Sequence, residues 1–210
     1  IILRSFTDKF MQRKNSSHLC IGLDPDINKM PDGMQSIAKI FDFNKAIIDA
    51  TAEHAAAYKP NSAFYEQYGL DGVLALKQTI EYIPEEIPVI LDAKRGDIGN
   101  TSRAYARSAF ECFQADALTV APYMGKDSVT PFLEYEDKYI FVLCLTSNSG
   151  ANDFEKPDLY LKVAENIVEW NKLNHNCGLV AGATQAKDLA AIRELSDELI
   201  FLIPGIGAQG

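Results

Sequence analysis

The sequence predicts an α/β fold in which strands alternate with helices along the chain. Short apolar runs recur, and each is followed by a polar turn and a segment with helical spacing, which is the arrangement that gives parallel strands joined by crossover helices. Most of the runs are continuously apolar, as expected for strands that helices cover on both faces. No low-complexity linker or change of composition interrupts residues 1–210, so we expect a single domain.

Seven strands and the helices between them are predicted in order. Asn100 is expected to cap a helix that ends at Phe113, and Asp127 is expected to cap the next helix. An earlier helix carries an apolar stripe of four residues: Ile40, Phe41, Ile47 and Ile48. The predicted strands are His18–Pro25, Ala55–Asn61, Pro88–Asp97, Ala117–Gly125, Tyr139–Ser147, Cys177–Thr184 and Leu199–Gly207.

Repeated βα units close into an eight-stranded barrel or form an open doubly wound sheet, and the polar residues distinguish the two. Chemically capable groups lie at the C-terminal ends of nearly every predicted strand, as on the top face of a barrel, whereas an open sheet concentrates its site at one switch point. These groups are Asp24, Lys59, Asp92, Lys94, Tyr123, Thr146, Ser147 and Gln209. We therefore predict a (β/α)8 TIM barrel whose eighth βα unit is missing, and we expect the natural chain to continue past Gly210.

The composition argues against several classes of protein. Hydrophobic residues make up 47% of the chain and charged residues 23%, which is ordinary for a globular domain. The net charge of −9 argues against a nucleic-acid-binding face, because such a face needs clustered Lys and Arg. No apolar run approaches the roughly 18 residues of a membrane helix. We therefore expect no membrane or nucleic-acid partner. Because the cysteines are widely spaced and lack a C-x-x-C motif, we expect a reducing, cytoplasmic setting.

The most informative segment covers residues 89–101, where charged residues directly follow apolar strand residues. Asp92 and Lys94 are two positions apart, and side chains at i and i+2 share one face of a strand, so both should point into the same cavity. Either charge would be costly to bury alone, so each needs a partner. Asp97 lies in the following turn, where Gly96 is expected to let the backbone bend.

Lys59 ends the preceding predicted strand and can complete a set of four charges of alternating sign. Such a set at the ends of adjacent strands shifts pKa values and positions a proton donor. The alternative interpretation is an ion-pair network that merely closes the mouth of the barrel. The carboxylates could also suggest Mg²⁺, but the interleaved lysines supply the positive charge that a metal would provide, so we expect no metal.

These residues also match a known family. The pattern Asp92-x-Lys94-x-x-Asp97-Ile98-x-x-Thr101 resembles the signature of the orotidine 5'-phosphate decarboxylases, in the form found in many bacteria. The resemblance covers nearly the whole chain. Five further segments are similar to family segments and occur in the family order: Gly22–Pro25, Tyr58–Tyr65, Val120–Gly125, Leu145–Asn148 and Pro204–Gln209.

The resemblance implies decarboxylation of orotidine 5'-phosphate to UMP in pyrimidine synthesis, without metal or organic cofactor. By this resemblance Lys94 would stabilise the charge that develops at C6 and then protonate C6, while Asp92 would lie near the departing carboxylate. Lys59 and Asp97 would keep Lys94 charged and oriented. The family also implies a homodimer in which Asp97 and Thr101 reach the active site of the neighbouring subunit.

The resemblance further assigns the residues that bind substrate. Asp24 would bind ribose hydroxyls, and Thr146 with Ser147 would meet the pyrimidine edge, with either hydroxyl as the contact. Pro204 and Gln209 would complete the substrate site, and Gln209 would reach the phosphate. The family's eighth strand is followed by an arginine for the phosphate, which this sequence does not include.

Three other functions use parts of the same pattern. Gly205–Gly210 has the spacing G-x-G-x-x-G of dinucleotide-binding loops, but Pro204 precedes it and no helix or acidic residue follows. The Mg²⁺-dependent phosphosugar decarboxylases and aldolases of the same barrel group share the Asp-x-Lys-x-x-Asp strand, and here Lys59 and the continuation Ile98–Thr101 argue against them. A barrel that only binds nucleotides would not need all four charged residues.

Overall fold

The computed structural model describes residues 5–183 and 186–205, and in them all seven predicted strands are present. Each strand lies within its predicted range, which confirms the alternation of strands and helices. Each is also shorter than predicted, because the predicted ranges include residues that belong to the adjoining loops. The strands are β1 Cys20–Gly22, β2 Ala57–Lys59, β3 Ile90–Arg95, β4 Ala117–Val120, β5 Tyr139–Leu145, β6 Cys177–Ala181 and β7 Phe201–Leu202.

The helices follow the predicted pattern, and the predicted stripe is confirmed in α2. Ile40 and Ile48 are fully buried, while Phe41 and Ile47 are partly buried. A 3₁₀ turn precedes α2, and a π-helical turn continues α5. The helices are α1 Phe6–Arg13, α2 Ile40–Thr51, α3 Ala63–Glu66, α4 Gly69–Tyr82, α5 Gly99–Arg107, α6 Lys126–Leu133, α7 Ala151–Phe154, α8 Leu159–Asn174 and α9 Ala186–Leu195.

Both predicted helix caps are wrong. Helix α5 already begins at Gly99, so Asn100 lies inside its first turn. The chain before α5 is instead held by Ser102, whose hydroxyl donates to the carbonyl of Asp97 at 2.7 Å. Helix α6 begins at Lys126 after Gly125, and Asp127 lies in its first turn without serving as the cap. Gly125 has a φ of 89°, a conformation that glycine adopts easily, so the backbone rather than a carboxylate starts this helix.

The chain divides into two compact units, of which the first comprises the residues up to Ala93 together with Ala106–Leu118. In this unit β1 pairs with β2 in parallel, with Cys20 opposite Ala57 and Gly22 opposite Lys59. Parallel bridges then join Tyr58 to Val89 and Asn61 to Asp92. This register brings the ends of β1 and β2 and the middle of β3 side by side.

Polar side chains also connect the first unit near the start of β3. Lys9 of α1 pairs with Asp116, at 2.8 Å between Nζ and Oδ1, and the other Asp116 oxygen accepts the N–H of Val89 at 2.9 Å. Arg13, also on α1, donates to the carbonyls of Ala52 and Ala55. Helix α1 is thereby bound to the segments that lead into β2, β3 and β4.

The second unit comprises Lys94–Tyr105 and the residues from Thr119 onward. Five strands contribute residues to it, and they follow the order β3-β4-β5-β6-β7. Strand β6 pairs in parallel with β5 and with β7. In the pairing with β5, the register shifts between Leu143 and Leu145 of β5. The first four residues of β6 lie opposite Ile140–Leu143, so the loops after β5 and β6 emerge at the same edge. In the described part of the chain, no helix is long and apolar enough to cross a membrane.

Candidate active site

Three of the predicted site residues meet in the first unit. Lys59 ends β2 and its Nζ lies 3.2 Å from Oδ2 of Asp92 on β3. The side-chain amide of Asn61 donates to the same oxygen at 3.3 Å. The backbone N–H of Asn61 donates to Oδ1 of Asp24 at 2.9 Å. Asn61 therefore joins the two carboxylates, one through its side chain and the other through its backbone.

The electrostatics of this cluster keep Lys59 charged. The side chains of Lys59 and Asp92 are 17% and 9% exposed, so both are largely removed from water. Burial acts to lower the pKa of Lys59, but the carboxylates of Asp92 and Asp24 outweigh it, and the pKa lies above the ordinary lysine value. Nearby, burial raises the pKa of Cys20 to about 11, although Lys59 acts to lower it. Cys20 is thus a neutral thiol at physiological pH.

Asn61 was not predicted as a site residue, although it stands two positions after Lys59. Its role depends on the parallel bridge that sets Asn61 beside Asp92, and on Asp24 lying at the end of β1. Both are pairings between distant parts of the chain. The only signal in the sequence was an amide directly after the segment Lys59-Pro60 at a strand end.

Lys94 lies in the second unit and has an unusual backbone conformation. Its φ is 48°, in the left-handed region, which costs a side-chain-bearing residue about 1–2 kcal/mol. Its N–H donates to Oγ1 of Thr119 at 2.9 Å, and the N–H of Ala121 donates to the carbonyl of Arg95 at 2.8 Å. These bonds hold the strained segment. The rule that i and i+2 share a face applies to regular strands, so the common face of Asp92 and Lys94 stays a prediction.

Gly96 has a different function from the expected bend. A Cβ atom at this position would lie 2.8 Å from the carbonyl oxygen of Ala121, closer than real contacts allow. The glycine is required because the chain after β3 passes directly against the chain after β4. This close approach fixes the backbone between Lys94 and Asp97.

Asp97 and Thr101 lie close together in sequence at the start of α5. The N–H of Asp97 donates to Oγ of Ser102 at 3.1 Å, and Asp97 Oδ1 accepts the N–H of Ile98 at 2.7 Å. Ser102 is fully buried, whereas Asp97 and Thr101 are partly exposed. Ser102 therefore anchors the loop from inside and leaves both predicted site residues near the surface.

Thr146 and Ser147 follow β5, as predicted. Thr146 is hydrogen-bonded to Glu155, a residue that sequence analysis missed. Glu155 accepts the N–H of Thr146 at 2.6 Å with Oε2, and its Oε1 lies 2.8 Å from the Thr146 hydroxyl. A Cβ atom on Gly182 would lie 2.8 Å from the Cβ of Ser147, so the loops after β5 and β6 touch at these two residues. Nothing in the spacing of Glu155 pointed to Thr146, because an intervening turn and α7 bring it back.

Pro204 follows β7 and accepts the N–H of Ala183 through its carbonyl at 3.0 Å. Gln209, the predicted phosphate contact, lies outside the described residues. Across residues 5–183 and 186–205, no group of three or more His, Cys, Asp or Glu side chains is arranged to hold a metal ion. The structure thus brings together Asp24, Lys59 and Asp92 in the first unit, and the other described site residues belong to the second unit.

Parallel βα units with polar residues at the ends of several strands are typical of a barrel enzyme, and comparisons with known proteins identify the family. The profile of the "Orotidine 5'-phosphate decarboxylase / HUMPS family" matches residues 17–210. An orotidine 5'-phosphate decarboxylase of Herpetosiphon aurantiacus is 52% identical over 215 residues, covering 96% of this chain and 80% of the relative. The chain belongs to this family.

Solved structures give the same result. The chain is similar to an orotidine 5'-monophosphate decarboxylase of Leishmania donovani, with a TM-score of 0.88 and 47% identity over 96% of this chain and 80% of that one. It is also similar to Leishmania donovani UMP synthase, with a TM-score of 0.91 and 48% identity. The alignment covers 99% of this chain but 46% of that longer protein. The predicted TIM-barrel fold is therefore confirmed.

Proposed function

We propose that this protein decarboxylates orotidine 5'-phosphate to UMP in pyrimidine synthesis, without metal or organic cofactor. The observation that carries the proposal is the ion pair between Lys59 and Asp92, at 3.2 Å and beside Asp24, in a chain about half identical to named decarboxylases. The family description also covers a second group, so the profile alone does not select the reaction. The relatives of about 50% identity carry only the decarboxylase name.

The chemical difficulty of this reaction is a carbanion at C6 of the pyrimidine, where no adjacent π system accepts the charge. We propose that Lys94 stabilises this charge electrostatically and then donates its proton to C6. A cation held in position before the reaction stabilises the transition state more than the ground state, which is what accelerates the chemical step. The tight backbone between Lys94 and Gly96 supports such preorganisation.

In this proposal the other three charges serve Lys94 and the substrate. Asp92 lies near the departing carboxylate, and Lys59 compensates the charge of Asp92, which the raised pKa of Lys59 supports. Asp97 holds Lys94 charged and oriented. Asp24 binds the ribose hydroxyls, and its carboxylate is already oriented by the N–H of Asn61.

Glu155 engages both the N–H and the hydroxyl of Thr146, so it holds the start of the loop after β5. We propose that Thr146 and Glu155 together fix this loop, and that the hydroxyl of Thr146 or of Ser147 meets the pyrimidine edge. Thr101, Pro204 and Gln209 complete the substrate site, with Gln209 at the phosphate.

We also propose a cytoplasmic homodimer in which Asp97 and Thr101 serve the active site of the partner subunit. Exposed apolar side chains support an interface in the second unit: Ile98 is 57% exposed, Tyr123 86% and Met124 49%. The four widely spaced cysteines, present as free thiols, fit a reducing compartment.

Subunit mixing tests the shared site. Inactive Lys94→Ala and Asp97→Ala proteins should regain activity when their subunits exchange, because one site of each heterodimer then receives both native residues. Proven heterodimers without activity would show that Asp97 serves its own chain.

The reaction itself is tested by following the pyrimidine absorbance of orotidine 5'-phosphate after mixing with the purified natural protein in excess EDTA. We expect the absorbance to decay at an enzymatic rate, because no metal takes part. Activity on a phosphosugar that EDTA abolishes would instead support the Mg²⁺-dependent branch. Binding of UMP without turnover would support a nucleotide-binding barrel.

A further inference from the structure

The hydroxyl of Tyr65 reaches the backbone directly beside Asp24. Tyr65 lies on α3, is fully buried, and donates to the carbonyl of Leu23 at 2.7 Å. Leu23 immediately precedes Asp24, whose carboxylate accepts the N–H of Asn61 at 2.9 Å. The short segment from Asn61 to Tyr65 therefore holds the end of β1 at two points, one on the Leu23 carbonyl and one on the Asp24 carboxylate.

Asn44 on α2 fixes the direction of this hydrogen bond. Its side-chain NH₂ group donates to the hydroxyl oxygen of Tyr65 at 2.9 Å and to that of Thr79 at 3.0 Å. With its oxygen occupied by a donor, each hydroxyl directs its own hydrogen elsewhere: Tyr65 donates to Leu23, and Thr79 donates to Ala75 at 2.8 Å. Burial raises the pKa of Tyr65, so this hydroxyl keeps its proton at physiological pH.

The side-chain amide of Asn44 carries a free-energy cost, a buried oxygen unsatisfied among the described residues, that core packing alone does not explain. Asn44 is fully buried, and its Oδ1 has no hydrogen-bond partner among the residues that the structure describes. An apolar side chain of similar size would leave no such unsatisfied oxygen in the core. A need for two donors, one for each hydroxyl, does explain the amide. Asn44 is thus placed to keep Tyr65 a donor toward Leu23.

We propose that Tyr65 is a positioning residue for substrate binding: held by Asn44, it fixes the Leu23 carbonyl and so sets the carboxylate of Asp24 against the ribose. This inference rests on the proposed function, in which Asp24 binds the ribose hydroxyls. The competing explanation is that Tyr65 makes an ordinary core hydrogen bond whose loss would affect stability alone.

A second buried tyrosine provides a matched control. Tyr58 is also fully buried, and its hydroxyl donates to the carbonyl of Ile48 at 3.2 Å and lies 2.7 Å from Oγ1 of Thr51, both on α2. Tyr65→Phe and Tyr58→Phe each remove one buried hydroxyl. We expect Tyr65→Phe to raise KM for orotidine 5'-phosphate about three- to tenfold, the range of one lost hydrogen bond, with kcat within about twofold. For Tyr58→Phe we expect both constants to stay within about twofold.

A double-variant cycle separates positioning from general destabilisation. UMP affinity is measured by titration for the wild type, Tyr65→Phe, Asp24→Ala and the double variant, after circular dichroism has verified that each is folded. If Tyr65 acts through Asp24, Tyr65→Phe lowers affinity in the wild type but by less than about twofold in the Asp24→Ala background. An equal loss in both backgrounds, or equal effects of the two tyrosine variants, would overturn the inference.

The same measurements distinguish this inference from the proposed function. A wild-type protein that binds UMP but does not turn over orotidine 5'-phosphate would refute the decarboxylase activity, and the affinity cycle would still decide the role of Tyr65. A wild-type protein that does not bind UMP would overturn both.

Discussion

Two buried Lys–Asp pairs among the described residues of the first unit are instructive to compare, because they lie at opposite ends of its strands. Lys9 and Asp116, with side chains 12% and 8% exposed, meet at 2.8 Å beside the residues that lead into β3 and β4. Lys59 and Asp92, 17% and 9% exposed, meet at 3.2 Å where β2 ends. The residue types and the burial are nearly the same, so neither separates a structural pair from a catalytic one.

The surroundings of the two pairs differ. Asp116 accepts from Lys9 on Oδ1 and from the Val89 N–H on Oδ2, so it joins α1 to the start of β3. Asp92 accepts from Lys59 and Asn61 at the end of β2, where Asp24 adds a second carboxylate, and the two carboxylates outweigh burial and raise the pKa of Lys59. We infer that the first pair stabilises the fold and that the second holds charge for chemistry.

The largest expected effect concerns Lys94, the proposed cation at C6. Lys94→Ala should fold and bind UMP but lose at least about 10³-fold in kcat, because both the electrostatic stabilisation and the proton donor are removed. Stopped-assay measurement of UMP formation would test this, with the exposed Lys172→Ala as a control that keeps full activity. Turnover of Lys94→Ala within tenfold of the wild type would contradict the role of Lys94.

The next effect is on stability. Asp116→Ala leaves the Lys9 ammonium and the Val89 N–H without their acceptor, so we expect the free energy of unfolding to fall by about 3–5 kcal/mol. Urea denaturation measures this loss, and kcat per folded molecule should stay within about twofold of the wild type. Asp116→Asn can still accept from Val89 and should lose less. A large loss of kcat in folded Asp116→Ala would mean that the two ends of the strands are not functionally separate.

The lysines of the two pairs test directly whether the pairs have different roles. Lys59→Ala should lower kcat/KM at least about 100-fold, the effect of losing one preorganised electrostatic group, whereas Lys9→Ala should change it by less than about threefold in the folded protein. Steady-state kinetics below the unfolding transition would show the difference. Equal losses in kcat/KM would remove the distinction between the pairs.

The smallest effect is a pH dependence of stability. The pKa of Lys59 in the folded protein lies above its ordinary value of 10.5, so its contribution to stability is fully present below that pH and is lost as pH rises through the folded pKa. The difference in unfolding free energy between wild type and Lys59→Met should therefore be constant from about pH 8 to 10 and shrink above pH 10.5. If the difference shrinks between pH 8 and 10, burial rather than the carboxylates controls Lys59.

Much of the fold and part of the site were predictable because they depend on local patterns. Continuously apolar runs identified all seven strands. Charges at the strand ends marked Lys59, Asp92, Lys94 and Asp97 as candidate site residues, and the structure brings Lys59 and Asp92 into contact. The strands were predicted too long, since a run such as Ala117–Gly125 continues with apolar residues beyond the end of the strand at Val120.

The residues that sequence analysis missed act through contacts between distant segments. Asn61 matters because β2 and β3 align it with Asp92, and Glu155 matters because α7 returns it to Thr146. The predicted cap at Asn100 failed because Ser102 binds the backbone of Asp97 from inside the helix. Each of these depends on three-dimensional proximity, for which residue type and spacing give no signal.

The left-handed backbone of Lys94 separates what the fold favours at this position from what the proposed chemistry needs. Glycine adopts this conformation without strain, so Lys94→Gly should unfold at a higher temperature than Lys94→Ala, although both lack the proposed catalytic cation. A screen that rewards thermal stability alone would therefore prefer glycine to alanine here and would not register the loss of the ammonium group. Directed evolution of this protein needs an activity requirement at every round, because backbone strain at position 94 favours glycine and gives no selection for a cation.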